Sequence, residues 1–219
     1  MRLILAASAF ALITACASTG DVDVPPAEVD LPPPAADLPV MPSAYDLAMA
    51  SVDELVEAGN EQAAIMRLQQ LVGMQDASDE EKAEALFKMA ELRGFGGNDV
   101  YGAIDALTEL IDAYPASALV SDAETMRDTL RGKATSLNFA ANNADLSPTE
   151  RFNAMFELGE HTDAADMMLA RDLAPDNAIL LDMYQIGYLC EDETLTGPSY
   201  ALNDADGTPR TLHFCEFGK

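Results

Sequence analysis

Apolar residues return every three or four positions along most of the stretch 43–189, and that spacing predicts helices. The clearest run covers 99–114, where Val100, Ala103, Ile104, Leu107, Leu110, Ile111 and Tyr114 form one stripe. Asn98 or Asp99 starts it, and Pro115 stops it. Upstream, Ser78 and Glu81 read as a capping box opening a helix with Ala83, Leu86, Phe87 and Ala90. The glycine-rich stretch 94–97 reads as the turn joining these two helices. Ala64, Ile65, Leu68, Leu71 and Val72 mark an earlier helix, preceded by a short one through Val52, Leu55 and Val56 that ends at Gly59-Asn60. Downstream stripes run through Leu119, Val120, Ala123, Met126 and Leu130, and through Phe152, Met155 and Phe156 behind Ser147-Pro148. Ala165, Met168 and Leu169 carry the next helix, and Ile179, Leu180, Met183 and Tyr184 the last. Only 138–145 reads as a longer loop.

The period changes at both ends. In the tail, Leu212 and Phe214 alternate with Thr211 and His213, so 199–202 and 210–217 predict a small β-hairpin around a turn-rich link. Two strands alone are marginal in water and need support from the helices. Residues 17–42 are rich in proline and acid and hold no lysine or arginine. Pro25-Pro26 and Pro32-Pro33-Pro34 favour extended polyproline II, about 3.1 Å per residue, so this arm spans roughly 80 Å when fully drawn out.

Residues 1–16 place a single positive charge, Arg2, before an uncharged and mostly apolar run that closes with Ile13-Thr14-Ala15-Cys16. A permanent membrane helix needs about 20 apolar residues; this run has the length of a removable secretory signal. Thr14 and Ala15 before Cys16 resemble the lipobox of bacterial lipoproteins. That resemblance implies cleavage after Ala15, a diacylglyceryl group on the Cys16 sulfur and acylation of the new N-terminus. Ala17, in place of an aspartate, resembles the pattern of lipoproteins sent to the outer membrane.

Charge narrows the partners. The chain has 38 acidic and 12 basic residues, a formal charge of −26. Such a polyanion repels phosphate backbones, which excludes nucleic acid, and it repels anionic lipid surfaces, which leaves acyl chains as the membrane contact. With Cys16 assigned to lipid, Cys190 and Cys215 remain, and an exported, oxidising compartment favours pairing them. A loop of this size gains roughly 3 kcal/mol by the chain-entropy argument. A zinc site using His213 lacks the four closely spaced ligands such sites want.

Short helices with small residues at contact positions point to helix-pair repeats. Residues 83–123 resemble a tetratricopeptide (TPR) repeat of the kind found in bacterial envelope lipoproteins: Ala103 and Leu107 hold the small and bulky places of the second helix. Ala113-Tyr114-Pro115-Ala116-Ser117 resembles the ending common in that branch. Residues 158–177 resemble the later half of another repeat, and 60–72 a third instance. Ala64, Ala103 and Ala164 are spaced by 39 and 61 residues, so the repeats are degenerate. The resemblance implies an all-α, TPR-like helix-pair solenoid, to which the tail's own pattern adds a small C-terminal β-hairpin stapled by the Cys190–Cys215 disulfide. The resulting organisation is a signal at 1–15, a lipidated cysteine and linker at 16–42, helical repeats at 43–189 and a stapled tail at 190–219.

A search for chemistry returns little. His161 lies in a Gly-Glu-His-Thr turn and reads as a surface or capping residue. The glycines at 94–97 lack the lysine of a phosphate loop, and Asp99 stands where a dinucleotide fingerprint needs its third glycine. Asp204 and Asp206 lack the glutamate of a calcium loop. The methionines read as helix-core filler. No catalytic residue, metal ligand or cofactor is assigned. The expected function is a lipid-anchored, periplasm-facing scaffold that binds envelope proteins on a helical concave surface. The rivals are a small-ligand-binding or hydrolytic envelope protein built from scattered carboxylates, and a structural spacer.

Overall fold

In the computed structural model, residues 41–192, 194–195, 197–203 and 207–215 are described. The signal, Cys16, the linker as far as residue 40, and residues 193, 196, 204–206 and 216–219 lie outside them. Each early helix starts where its side chains supply a cap. Ser43 and Asp46 form a capping box at the start of α1 (Ala44–Glu57), and Asn60 accepts from the Ala63 amide at the start of α2 (Glu61–Val72). Ser78 and Glu81 open α3 (Asp79–Phe95) as expected, and Asp99, with Oδ1 2.9 Å from the Gly102 amide, opens α4 (Val100–Ala113).

Gly94 belongs to α3 and not to the turn, which begins at Gly96. The reason is packing: a Cβ at Gly94 would lie 3.0 Å from the Leu130 Cδ2 and 3.3 Å from the Ala103 Cβ, so the missing side chain eases the close approach of α4 and α5. A second difference concerns 138–145. Helix α5 (Val120–Asn142) runs through most of that expected loop, because Ala134 and Ala141 continue the buried stripe of Ala123 and Leu130. Asn138 and Asn142 sit on the exposed side, where the Asn142 amide donates to the Asn138 carbonyl at 2.9 Å.

The order of contacts is that of a helix-pair solenoid, each of α1 to α5 packing on the next. Tyr45 Oη donates to the Glu81 carbonyl at 2.7 Å and Lys88 pairs with Asp53, so α1 and α3 lie side by side and parallel. Lys133 Nζ donates to the Gly94 carbonyl at 3.0 Å, which sets α5 beside α3 in turn. The first half of α5 runs back along α4. Its second half outruns the start of α4, where Asn138 donates to Tyr101 Oη at 3.2 Å.

On that overhang sits α6 (Pro148–Leu158), antiparallel to it: Arg151 Nε donates to the Ala141 carbonyl at 2.9 Å and Lys133 pairs with Glu157 at 2.7 Å. Gly159 ends α6 with φ +94, and α7 (His161–Arg171) follows at once. The long α5 therefore explains the uneven spacing of Ala64, Ala103 and Ala164: a 23-residue helix stands between the second and third units.

The last helix, α8 (Asn177–Gln185), packs on a three-stranded antiparallel sheet. The expected hairpin forms from β2 (Ser199–Asn203) and β3 (Pro209–Phe214), with Tyr200 opposite Leu212. A third strand, β1 (Leu189–Cys190), pairs on the far side of β3 and gives the order β1-β3-β2. Cys190 and Cys215 are joined, with their Cα atoms 5.3 Å apart. At the outer edge of β2, Asn177 Nδ2 donates to the Asn203 carbonyl at 2.8 Å while the Asn203 amide donates to Asn177 Oδ1 at 2.6 Å.

Two cores result. One is shared by α1 to α5 and the inner side of α6; the other joins Phe152 and Phe156 of α6 to α7, α8 and the sheet, and Met155 touches both.

Candidate functional site

With α1, α3 and α5 aligned side by side, the outward stripes of α1 and α3 lie next to each other and are exposed. On α3 the sequence places Glu84, Lys88, Glu91 and Phe95 at i, i+4, i+7 and i+11, a single stripe opposite the buried Ala83, Leu86 and Ala90. Asp46, Ala50, Asp53 and Glu57 repeat the same spacing on α1, and all four are exposed. The Lys88–Asp53 pair ties the two stripes together. Phe95 is 64% exposed, an unusual position for an aromatic ring. Tyr45, beneath this face, has its phenol pushed well above the usual range by burial and by Glu84 close by.

A second feature lies just past the end of α3, where α8 returns to the early helices. Asn98, held at φ +48, donates from Nδ2 to Asp182 Oδ2 at 2.6 Å, and its carbonyl lies 2.8 Å from His161 Nε2. The His161 ring packs on Phe156 with centroids 4.9 Å apart. His161 is thus a joint between α7 and the α3–α4 turn, which corrects the expectation of a surface or capping role; the pull of a neighbouring carbonyl and ring outweighs solvent. Burial raises the Asp182 carboxyl above its ordinary range, partly offset by the Asn98 hydrogen bond. Gln185 reaches the Gly59 carbonyl at 3.5 Å, so α8 spans from the third unit to the first.

Between α2 and the α8–β1 segment opens a shallow cleft of about 750 Å³, lined by Asn60, Met66, Tyr184, Leu189 and both cysteines of the disulfide. Among the described residues, no group of three or more His, Cys, Asp or Glu is placed to hold a metal ion, and no side chain that is polar or charged is fully buried. The Asp182 carboxylate, whose affinity for protons is raised, faces an amide. Asp46, Glu150 and Asp192 are lowered, each by the hydrogen bonds of its own Ser43, Ser147 or Thr194 turn. No helix among these residues is long and apolar enough to cross a membrane.

Of the residues singled out from sequence, the structure brings Cys190 and Cys215 together; Cys16 lies outside the described residues. Sequence reasoning passed over Phe95 and its stripe because it counted the apolar side of α3. Reading the opposite side at the same period would have found them. Asn98 and Asp182 carry no such signal, being 84 positions apart.

Comparisons with curated proteins and with solved structures found no match. The tetratricopeptide repeat family does match, over residues 84–117, which run from within α3 through α4 to the turn beyond it. Repeats of this family generally act as non-enzymatic scaffolds for partner proteins. The chain is mostly helical, built on TPR-like pairs, with a disulfide-stapled sheet at its end.

Proposed function

We propose that this chain is a bacterial lipoprotein, anchored through acyl groups on Cys16 to the periplasmic side of the outer membrane. There its TPR-like helices hold partner proteins during envelope assembly or maintenance. The observation that carries the binding role is the exposed outward side of α1 and α3, of which α3 lies within the segment that matches the repeat family. Helix pairs bury one side against each other and leave the other free, so binding area accumulates without a pocket. The order of charge, apolar run, Thr14-Ala15 and Cys16 supports the anchor, and the proline-rich arm supplies reach.

Radiolabelled palmitate should enter the wild-type chain and fail to enter Cys16→Ser. Equal labelling of both would overturn the anchor. For the scaffold, crosslinking in intact envelopes followed by detergent extraction should return one assembly in fixed stoichiometry. Recovery of the chain alone would overturn that reading.

A further inference from the structure

We propose that the outward face of α1 and α3 takes a basic, amphipathic segment of a partner protein, with an apolar side chain seated on Phe95 and lysines or arginines along the flanking carboxylates. This rests on the scaffold reading and names the chemistry of its partner. Phe95 is large and 64% exposed at the end of a helix whose other long apolar side chains are at least partly covered, so it offers an anchor whose apolar area is still free to be buried.

Two lysines reach this face, and both are spent: Lys88 on Asp53, and Lys133 on Glu157 and the Gly94 carbonyl. Along the two stripes Glu57, Glu84 and Glu91 are exposed, and none of them stands in an ion pair among the described residues. An acidic or neutral segment would leave those carboxylates uncompensated, whereas a basic one neutralises them and is drawn in by the field of a chain with charge −26. The two stripes run parallel and are linked at Asp53–Lys88, which makes a shallow track along the helix axes. A helix of the partner lies naturally in such a track.

The test uses the full-length chain in detergent micelles and two fluorescein-labelled peptides of ~18 residues, about five helical turns. One alternates faces of lysine and leucine, the other of glutamate and leucine. Anisotropy should report binding of the lysine peptide only. Phe95→Ala should weaken it about tenfold, and Glu84→Gln with Glu91→Gln about tenfold with a shallower salt dependence. Asp163→Gln with Asp166→Gln on α7 should change it less than about twofold, which separates a docking face from general attraction to a polyanion. Helical circular dichroism should be unchanged in all of them, since each altered side chain is exposed.

Equal weakening by the α7 pair, indifference to Phe95→Ala, equal binding of the glutamate peptide, or no binding at all would each overturn the assignment. Crosslinking that finds a partner while the peptide maps elsewhere removes this surface and leaves the scaffold. Crosslinking that finds nothing removes the scaffold itself.

Discussion

The first core and the second are made of different side chains. Alanine supplies 12 of the 24 buried residues in the first, and the rest are mainly leucines. Such small side chains let helices approach closely, and stability comes from many modest contacts spread along the stack. The second core has two alanines among its 11 buried residues and relies instead on Phe152, Phe156, Met168, Met183 and Tyr200. It is also smaller, and it needs a disulfide and a strand edge sealed by Asn177. The comparison teaches that a repeat stack gains stability by extension, while a terminal cap gains it from a few large groups and a covalent tie.

The largest expected effect follows from that contrast. Phe156→Ala should cost about 3–5 kcal/mol, because a fully buried ring is lost where few other contacts exist. Hydrogen exchange should show α7 and α8 losing protection while α3 and α4 keep theirs. Uniform loss would show that the two cores unfold as one. Reducing the Cys190–Cys215 bond comes next, at about 3 kcal/mol for a separation of 25 residues, and should loosen the sheet and α8 first. Early loss in α1 to α4 would contradict the division.

Gly159→Ala tests the seam. Gly159 has φ +94, and a Cβ there would collide with the carboxylate of Asp99, the cap of α4. A cost of about 1–3 kcal/mol is expected, felt on both sides; a neutral substitution would mean that the seam bears no load.

The smallest effect is a slope with pH. Burial holds the Asp182 carboxyl above its unfolded value of 3.8, so its contribution to stability is present below that pH and is lost as pH rises through the folded value. Asp46 and Glu150 behave oppositely: their caps contribute at neutral pH and fade as pH falls. Asp182→Asn keeps an acceptor for Asn98, so its melting temperature should gain on the parent between pH 3 and 7. Parallel melting curves across that range would sink the account.

Local chemistry was readable in advance, and distant pairing was not. Ser78 with Glu81, Ser147 before Pro148, and Asp99 announce helix starts, because a cap acts within three residues. The continuation of α5 past Asn138 was hidden: asparagine is a weak helix former, and only the burial of Ala141 against neighbouring helices decides the matter. The return of α8 to Asn98 and Gly59 depends on contacts 84 and 126 positions apart, which no periodic pattern encodes. Of the candidate site, the helices were legible; the parallel alignment that sets two stripes beside each other was not.

The twin hydrogen bonds between Asn177 and Asn203 have a consequence for molecules held at high density. A side-chain amide there occupies the donor and acceptor that another polypeptide's backbone would otherwise seek. A neighbour's strand therefore finds no free backbone partner at Asn203, the last residue of that margin.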